Sequence, residues 1–265
     1  MTGLSISNIA WAADDDETVY GFMKELGYTG LEIAPTRIFP EAPYDRLDEA
    51  KKWSDNMYSS YGIRISSMQS IWYGRNEKLF GTEEERKTLT DYTKKAVGFA
   101  SVTGCANLVF GCPRNRNMPD GADRDIALRF FRETGDHAAA NNTVIAMEAN
   151  PPVYNTNYIN DTRSATELVK EVGSKGFMLN LDLGTMIANG EDLSVLKGNE
   201  HLINHVHISE PGLKMIEKRE LHRELAVFLK ESGYDKYVSI EMGKQENVSA
   251  VRETMEYIKE TFELG

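Results

Sequence analysis

Five glycines, Gly27, Gly62, Gly104, Gly173 and Gly233, each stand between the end of a helix-period stretch and the start of a short apolar run. A helix that ends in the left-handed conformation takes glycine there because no Cβ obstructs it. Their placement predicts a chain that repeatedly finishes a helix and begins a strand, the pattern of parallel strands joined by helical crossovers. Eight strands are expected, at residues 4–8, 30–35, 63–70, 107–111, 143–149, 177–183, 203–209 and 237–242. Between them the periodicity predicts helices at 14–26, 44–61, 83–103, 123–141, 162–172, a short one near Asp192, 218–232 and 248–262. Spread over eight such units, 265 residues leave about 33 for each, enough for a strand and a crossover helix. The expected fold is an α/β (β/α)8 TIM barrel, with a doubly wound open sheet as the structural rival. No Pro/Gly/Ser-rich linker interrupts the chain, so residues 1–265 are expected to form one domain.

The balance of 30 Lys+Arg against 41 Asp+Glu gives a net charge of -11, which opposes attachment to nucleic acid or to an anionic membrane. No run approaches the roughly 18 apolar residues of a membrane helix, and the N-terminus lacks a basic stretch followed by an apolar one. A cytoplasmic protein is expected. Two cysteines, Cys105 and Cys112, are too few for a disulfide framework and read as part-buried thiols. The acidic runs 14–17 and 83–85 suit the positive ends of the helices they begin.

Side-chain parity carries the functional reading, because alternate residues of a barrel strand face the helices or the axis. On the sixth strand Phe177, Leu179, Leu181 and Leu183 share the apolar face, which sends Met178, Asn180 and Asp182 inward. The same rule sends Glu148 of the fifth strand, His205 and His207 of the seventh and Glu241 of the eighth inward. Glu148, Asp182, His207 and Glu241 should therefore meet at the C-terminal mouth, where barrel enzymes keep their chemistry. Three carboxylates in a partly dry mouth repel one another unless protonated, paired or bound to a cation. A divalent ion is the simplest resolution, and an oxygen-rich set with one imidazole suits Mn²⁺, Mg²⁺ or Co²⁺ better than a thiolate-type structural zinc site, with Mn²⁺ the expected ion. His205, one pleat deeper, reads as a buried polar support.

The segments MEANP around Glu148, LDLGT around Asp182, HVHIS around His207 and SIEM around Glu241 resemble the sugar isomerase/epimerase group of xylose-isomerase-like TIM barrels. Ketose 3-epimerases and inosose dehydratases belong to that group, and the likeness runs along nearly the whole chain. It implies a metal held by those four residues against an open-chain sugar or polyol, with Glu148 and Glu241 as acid and base on opposite faces. The chain also departs from the pattern. Thr185 stands where many members carry His, and Leu213 where the ketose epimerases carry Arg. Glu210 keeps the place of their glutamate, with Lys214 close by as a contact to substrate oxygen.

Further candidates for substrate contact lie after other strands: Asn8 and Trp11 after the first, Gln69 and Trp72 after the third, and Arg114 and Arg116 after the fourth, with Glu32 on the second. Trp11 and Trp72 suit stacking on a sugar's C–H face. The two arginines suit a phosphate or carboxylate. Asn150 sits in the rigid turn completed by Pro151 and Pro152. The leading expectation is proton transfer through a cis-enediolate in a metal-dependent isomerase or epimerase. A dehydratase of an inosose or dehydroshikimate-like compound and a non-catalytic sugar-binding barrel are the alternatives. The expected partner is a small sugar or polyol, with neither nucleic acid nor membrane, and self-association as a homodimer or homotetramer is left open.

Overall fold

In the computed structural model, which describes residues 2–264, eight parallel strands close on themselves in chain order: β1 (Gly3–Ser7), β2 (Gly30–Ile33), β3 (Arg64–Met68), β4 (Leu108–Phe110), β5 (Ile145–Glu148), β6 (Phe177–Asp182), β7 (Ile203–Ser209) and β8 (Tyr237–Glu241). Pairing of β1 with both β2 and β8 leaves no sheet edge, which excludes the open-sheet rival. The crossovers are α1 (Asp16–Leu26), the single turn α2 (Pro35–Ile38), α3 (Leu47–Tyr61), α4 (Glu83–Thr103), α5 (Asp125–Ala140), α6 (Thr162–Val172), α7 (Leu183–Asn189), α8 (Glu220–Glu231) and α9 (Val248–Leu264).

Local signals explain most of these boundaries. Gly27, Gly62, Gly104 and Gly173 cap α1, α3, α4 and α6 in the left-handed conformation, and Gly233 adopts it one residue past the Ser232 cap of α8. Thr82 and Glu85 form a reciprocal capping box at the start of α4. Among the described residues no helix is long and apolar enough to cross a membrane.

One helix departs from the sequence reading. The expected sixth strand runs to residue 183, but the strand stops at Asp182, which caps α7 by accepting a hydrogen bond from the Thr185 N–H at 2.6 Å. Seven residues are too few to display a 3.6-residue period. The short helix expected near Asp192 is a 3₁₀ turn, Leu193–Leu196.

The outer faces of the strands bury apolar side chains against the helices. On one side Phe110, Phe130, Phe131 and Phe177 form a continuous aromatic cluster, with Phe131 and Phe177 stacked at 4.7 Å. Packing of this kind sets the spacing of β4, β5 and β6 and so holds their C-terminal ends in place.

Candidate metal centre

Glu148 and Asp182 are the last residues of β5 and β6, Glu241 is the last of β8, and His207 lies two residues before the end of β7. All four point inward, and their ligating atoms lie within 4.8 Å of one another. The Nδ1 of His207 is 2.8 Å from Glu148 Oε1, 3.2 Å from Glu241 Oε2 and 4.0 Å from Asp182 Oδ2. Yet that nitrogen, fully buried, is aligned for a hydrogen bond with none of them. Buried polar atoms are ordinarily paired. Three carboxylates converging on one unpaired imidazole nitrogen are an arrangement that a divalent cation completes, so the residues fit a metal.

The electrostatics agree. Burial pushes Glu241 up to about 7, despite the opposing charge of His207. Burial and the charge of Glu148 push Asp182 up to about 6. Burial alone would lower His207, but the charges of Glu241 and Glu32 hold it well above the usual imidazole range. The mouth thus carries more negative charge than its few solvent contacts can stabilise.

A shell of amides and hydroxyls fixes the carboxylates. Asn180 and Asn150 each donate a side-chain N–H to Glu148, both at 3.0 Å and to different oxygens. Ser209 donates to Asp182. Gly111, just after β4, makes room: a Cβ there would lie 2.8 Å from Glu148 Oε2. Arg116 is buried behind this wall, where it donates to the carbonyls of Glu148 (2.8 Å) and Ile159 (3.2 Å) and to Asn150 Oδ1 (3.0 Å). Burial pulls its guanidinium down to about 10, still charged at neutral pH. It ties the loop after β5 to the strand.

A cavity of about 150 Å³ opens beside the carboxylates, lined by Pro113, Glu148, Asn150, Tyr154, Asp182, Ser209, Glu210, Leu213 and Glu241. Of the residues expected to touch substrate, Asn150 and Glu210 line it. Glu210 is also clamped by Arg219 through two contacts of 2.6 Å. Thr185 is buried and donates to the Ala149 carbonyl. Lys214 and Arg114 are exposed, and Arg116 is spent on the three acceptors just named.

The two tryptophans expected to stack on sugar are packed elsewhere. Trp11 donates to Asp16 at 2.7 Å beneath the Arg37 guanidinium. Trp72 donates to Thr93 of α4, with its ring against Phe110 and Phe130. Position near a strand end does not say which way a loop turns an indole. Asn8 accepts from the Ala34 N–H, and Gln69 accepts from Ser7, so both brace the barrel interior. Tyr154 and Ser209 line the cavity without having been singled out in the sequence. Ser209 lies two residues past His207 and so shares its parity, whereas Tyr154 had no local signal.

The opposite nitrogen of the His207 ring, Nε2, is hydrogen-bonded to Glu32 Oε2 of β2 at 2.9 Å, and His205 Nε2 lies 3.1 Å from the same oxygen. All three residues are buried, and their atoms are also close enough to hold an ion. Burial alone would raise Glu32, but the two imidazoles outweigh it and hold the carboxyl below its usual range. Burial lowers His205.

Comparison with known proteins places this geometry in context. A family model, the xylose isomerase-like TIM barrel, matches residues 21–261. No curated protein sequence matches the chain. Among solved structures, apo 3-keto-D-glucoside 4-epimerase from E. coli has a TM-score of 0.76, with 18% identity across 98% of this chain and 100% of its own. D-Psicose 3-epimerase with D-tagatose, from Clostridium cellulolyticum H10, has a TM-score of 0.72 and 15% identity over 99% and 96% of the two chains. The IOLI protein with a bound zinc atom has a TM-score of 0.71 and 18% identity over 98% and 96%. At such identities the likeness is one of fold.

Proposed function

The chain belongs to the xylose isomerase-like TIM barrel family, and on that premise we propose that it is a divalent-metal-dependent isomerase or epimerase of a sugar or sugar derivative, with residues 1–265 acting as one domain. The observation that carries this reading is the unpaired Nδ1 of His207 facing Glu148, Asp182 and Glu241. A cation held by those four residues supplies Lewis-acid charge at a substrate carbonyl, and the oxygen-rich set favours Mn²⁺ over a thiolate-preferring ion.

The chain's own groups supply the rest. Glu148 removes the proton from the carbon beside the carbonyl. Glu241, raised by burial to about 7, starts protonated and gives its own proton to the opposite face of that carbon, which yields the epimer. If Glu148 instead returns the first proton to the former carbonyl carbon while the hydroxyl proton passes between the two oxygens, aldose and ketose interconvert. Asn150 and Asn180 hold Glu148 at one angle, as the Thr185 N–H and Ser209 hold Asp182, so little reorientation is needed during transfer. Pro113, Tyr154 and Leu213 narrow the cavity and limit water around the reacting carbon. Glu210 offers an acceptor to a substrate hydroxyl.

The test is to incubate Mn²⁺-loaded protein with ketoses, aldoses and inososes in D₂O and follow the α-carbon by NMR. Deuterium should enter beside the carbonyl of at least one sugar. Absence of exchange across the panel, with the metal shown to be bound, would refute the assignment.

A further inference from the structure

Glu32 is the one carboxylate of the barrel interior on β2, far in sequence from the four residues of the mouth, and it is fully buried. Its Oε2 meets Nε2 of His207 at 2.9 Å and approaches Nε2 of His205 at 3.1 Å, while its Oε1 has no partner. Both strand pairs that aim this group are irregular there. The β2–β3 register shifts between Leu31 and Glu32, and the β6–β7 register shifts between Leu179 and Asn180, the residue paired with His205. Such bulges turn side chains out of the regular pleat and recur beside active sites.

An imidazole has two nitrogens, and only the one without a proton can ligate a cation. We propose that Glu32 is the positioning residue that decides which nitrogen this is. As a carboxylate it can only accept, so it keeps a His207 proton on Nε2, and the proton that a cation displaces is the one on Nδ1, whose lone pair then shares the cation with Glu148, Asp182 and Glu241. His205 Nε2 lies 3.1 Å from the same oxygen without an aligned hydrogen bond. The ligand set is five residues deep, with its orienting member supplied from the opposite wall of the barrel. This rests on the metal reading of the mouth proposed above.

Glu32→Gln preserves shape but places an amide N–H donor within reach of Nε2, which favours the tautomer with its proton on Nδ1, facing the cation. Mn²⁺ affinity, measured by electron paramagnetic resonance of the free ion, should fall roughly 10- to 100-fold in this variant. Affinity within threefold of wild type would overturn the proposal. Should the variant fail to fold, the unaltered protein decides: with ¹⁵N-labelled histidine and Zn²⁺ as probe, His207 should carry its proton on Nε2 and the metal on Nδ1. The reverse assignment, or no binding of either ion, would overturn it. Neither measurement uses a sugar, so a protein that binds Mn²⁺ in this way yet turns over no substrate would sink the proposed function and leave the role of Glu32 standing.

Discussion

The two walls of the barrel interior treat their polar groups differently. Along β1 and β3 they are hydroxyls and an amide that satisfy one another: Ser5 with Ser66 at 2.7 Å, and Ser7 with Gln69 at 2.5 Å. From β5 to β8 they are three carboxylates around one imidazole nitrogen that has no partner. Neutral groups that donate and accept can close a network locally, whereas carboxylates only accept and repel each other. The serines and glutamine of one wall pair as folded, and the other wall offers a ligand set that could hold a cation. Glu32 crosses between them, joining the neutral wall to the imidazole of the charged one.

The largest effect expected from this contrast is on catalysis. Glu148→Gln or Glu241→Gln should slow sugar exchange by about 10³-fold, or about 4 kcal/mol of barrel-mouth chemistry, while Ser7→Ala should change it only a few-fold. Steady-state exchange rates check this, and equal losses in the two walls would erase the distinction. Next comes the cation itself. Mn²⁺ at about 100 times its dissociation constant should add about 2.7 kcal/mol to the stability of the native protein, and an Asp182→Asn/Glu241→Gln double variant should lose that increment in calorimetry while Ser66→Ala keeps it.

Acidity gives the charged wall a sign of its own. In metal-free protein Asp182, Glu241 and His207 hold their protons more tightly than ordinary groups do. The stability they add is complete below their ordinary ranges and is lost as pH rises through their folded values, about 6 for Asp182 and about 7 for Glu241. Glu32 is shifted the other way and loses its contribution only below its ordinary value of 4.5. Between about pH 4.5 and 7 Asp182, Glu241 and His207 make stability fall as pH rises, by at most about 1.4 kcal/mol per pH unit for each group. Buried His222 and His205 give the opposite slope, so the signal is the difference in urea unfolding between the native protein and Asp182→Asn. A difference that grows in favour of the native protein as pH rises, or a profile unaltered by Asp182→Asn, would contradict the charge imbalance. The smallest effect belongs to the neutral wall: Ser7→Ala should cost about 1 kcal/mol, the worth of one hydrogen bond, with no change in Mn²⁺ affinity.

Parity along single strands was enough to bring Glu148, Asp182, His207 and Glu241 to one face of each strand, because a period of two leaves no choice once the other face is apolar. The same rule says nothing about loops. Trp72, two residues past an apparent strand end, turned outward to Thr93 and the aromatic cluster, and Arg116 went behind the wall to hold backbone carbonyls. Asp182 shows the limit within a strand: its inward direction was legible, but its capping of α7 was not, since a seven-residue helix has no visible period.

The sequence alone determined which residues alternate, where helices stop, and hence how many strands close the barrel, since each of these depends on neighbours within a few positions. Tertiary structure alone decided that Glu32 meets His207 across 175 positions of chain, and that Leu213 and Tyr154 wall the same cavity. Those contacts depend on barrel closure and on register shifts of a single residue, and no local pattern of side chains encodes either.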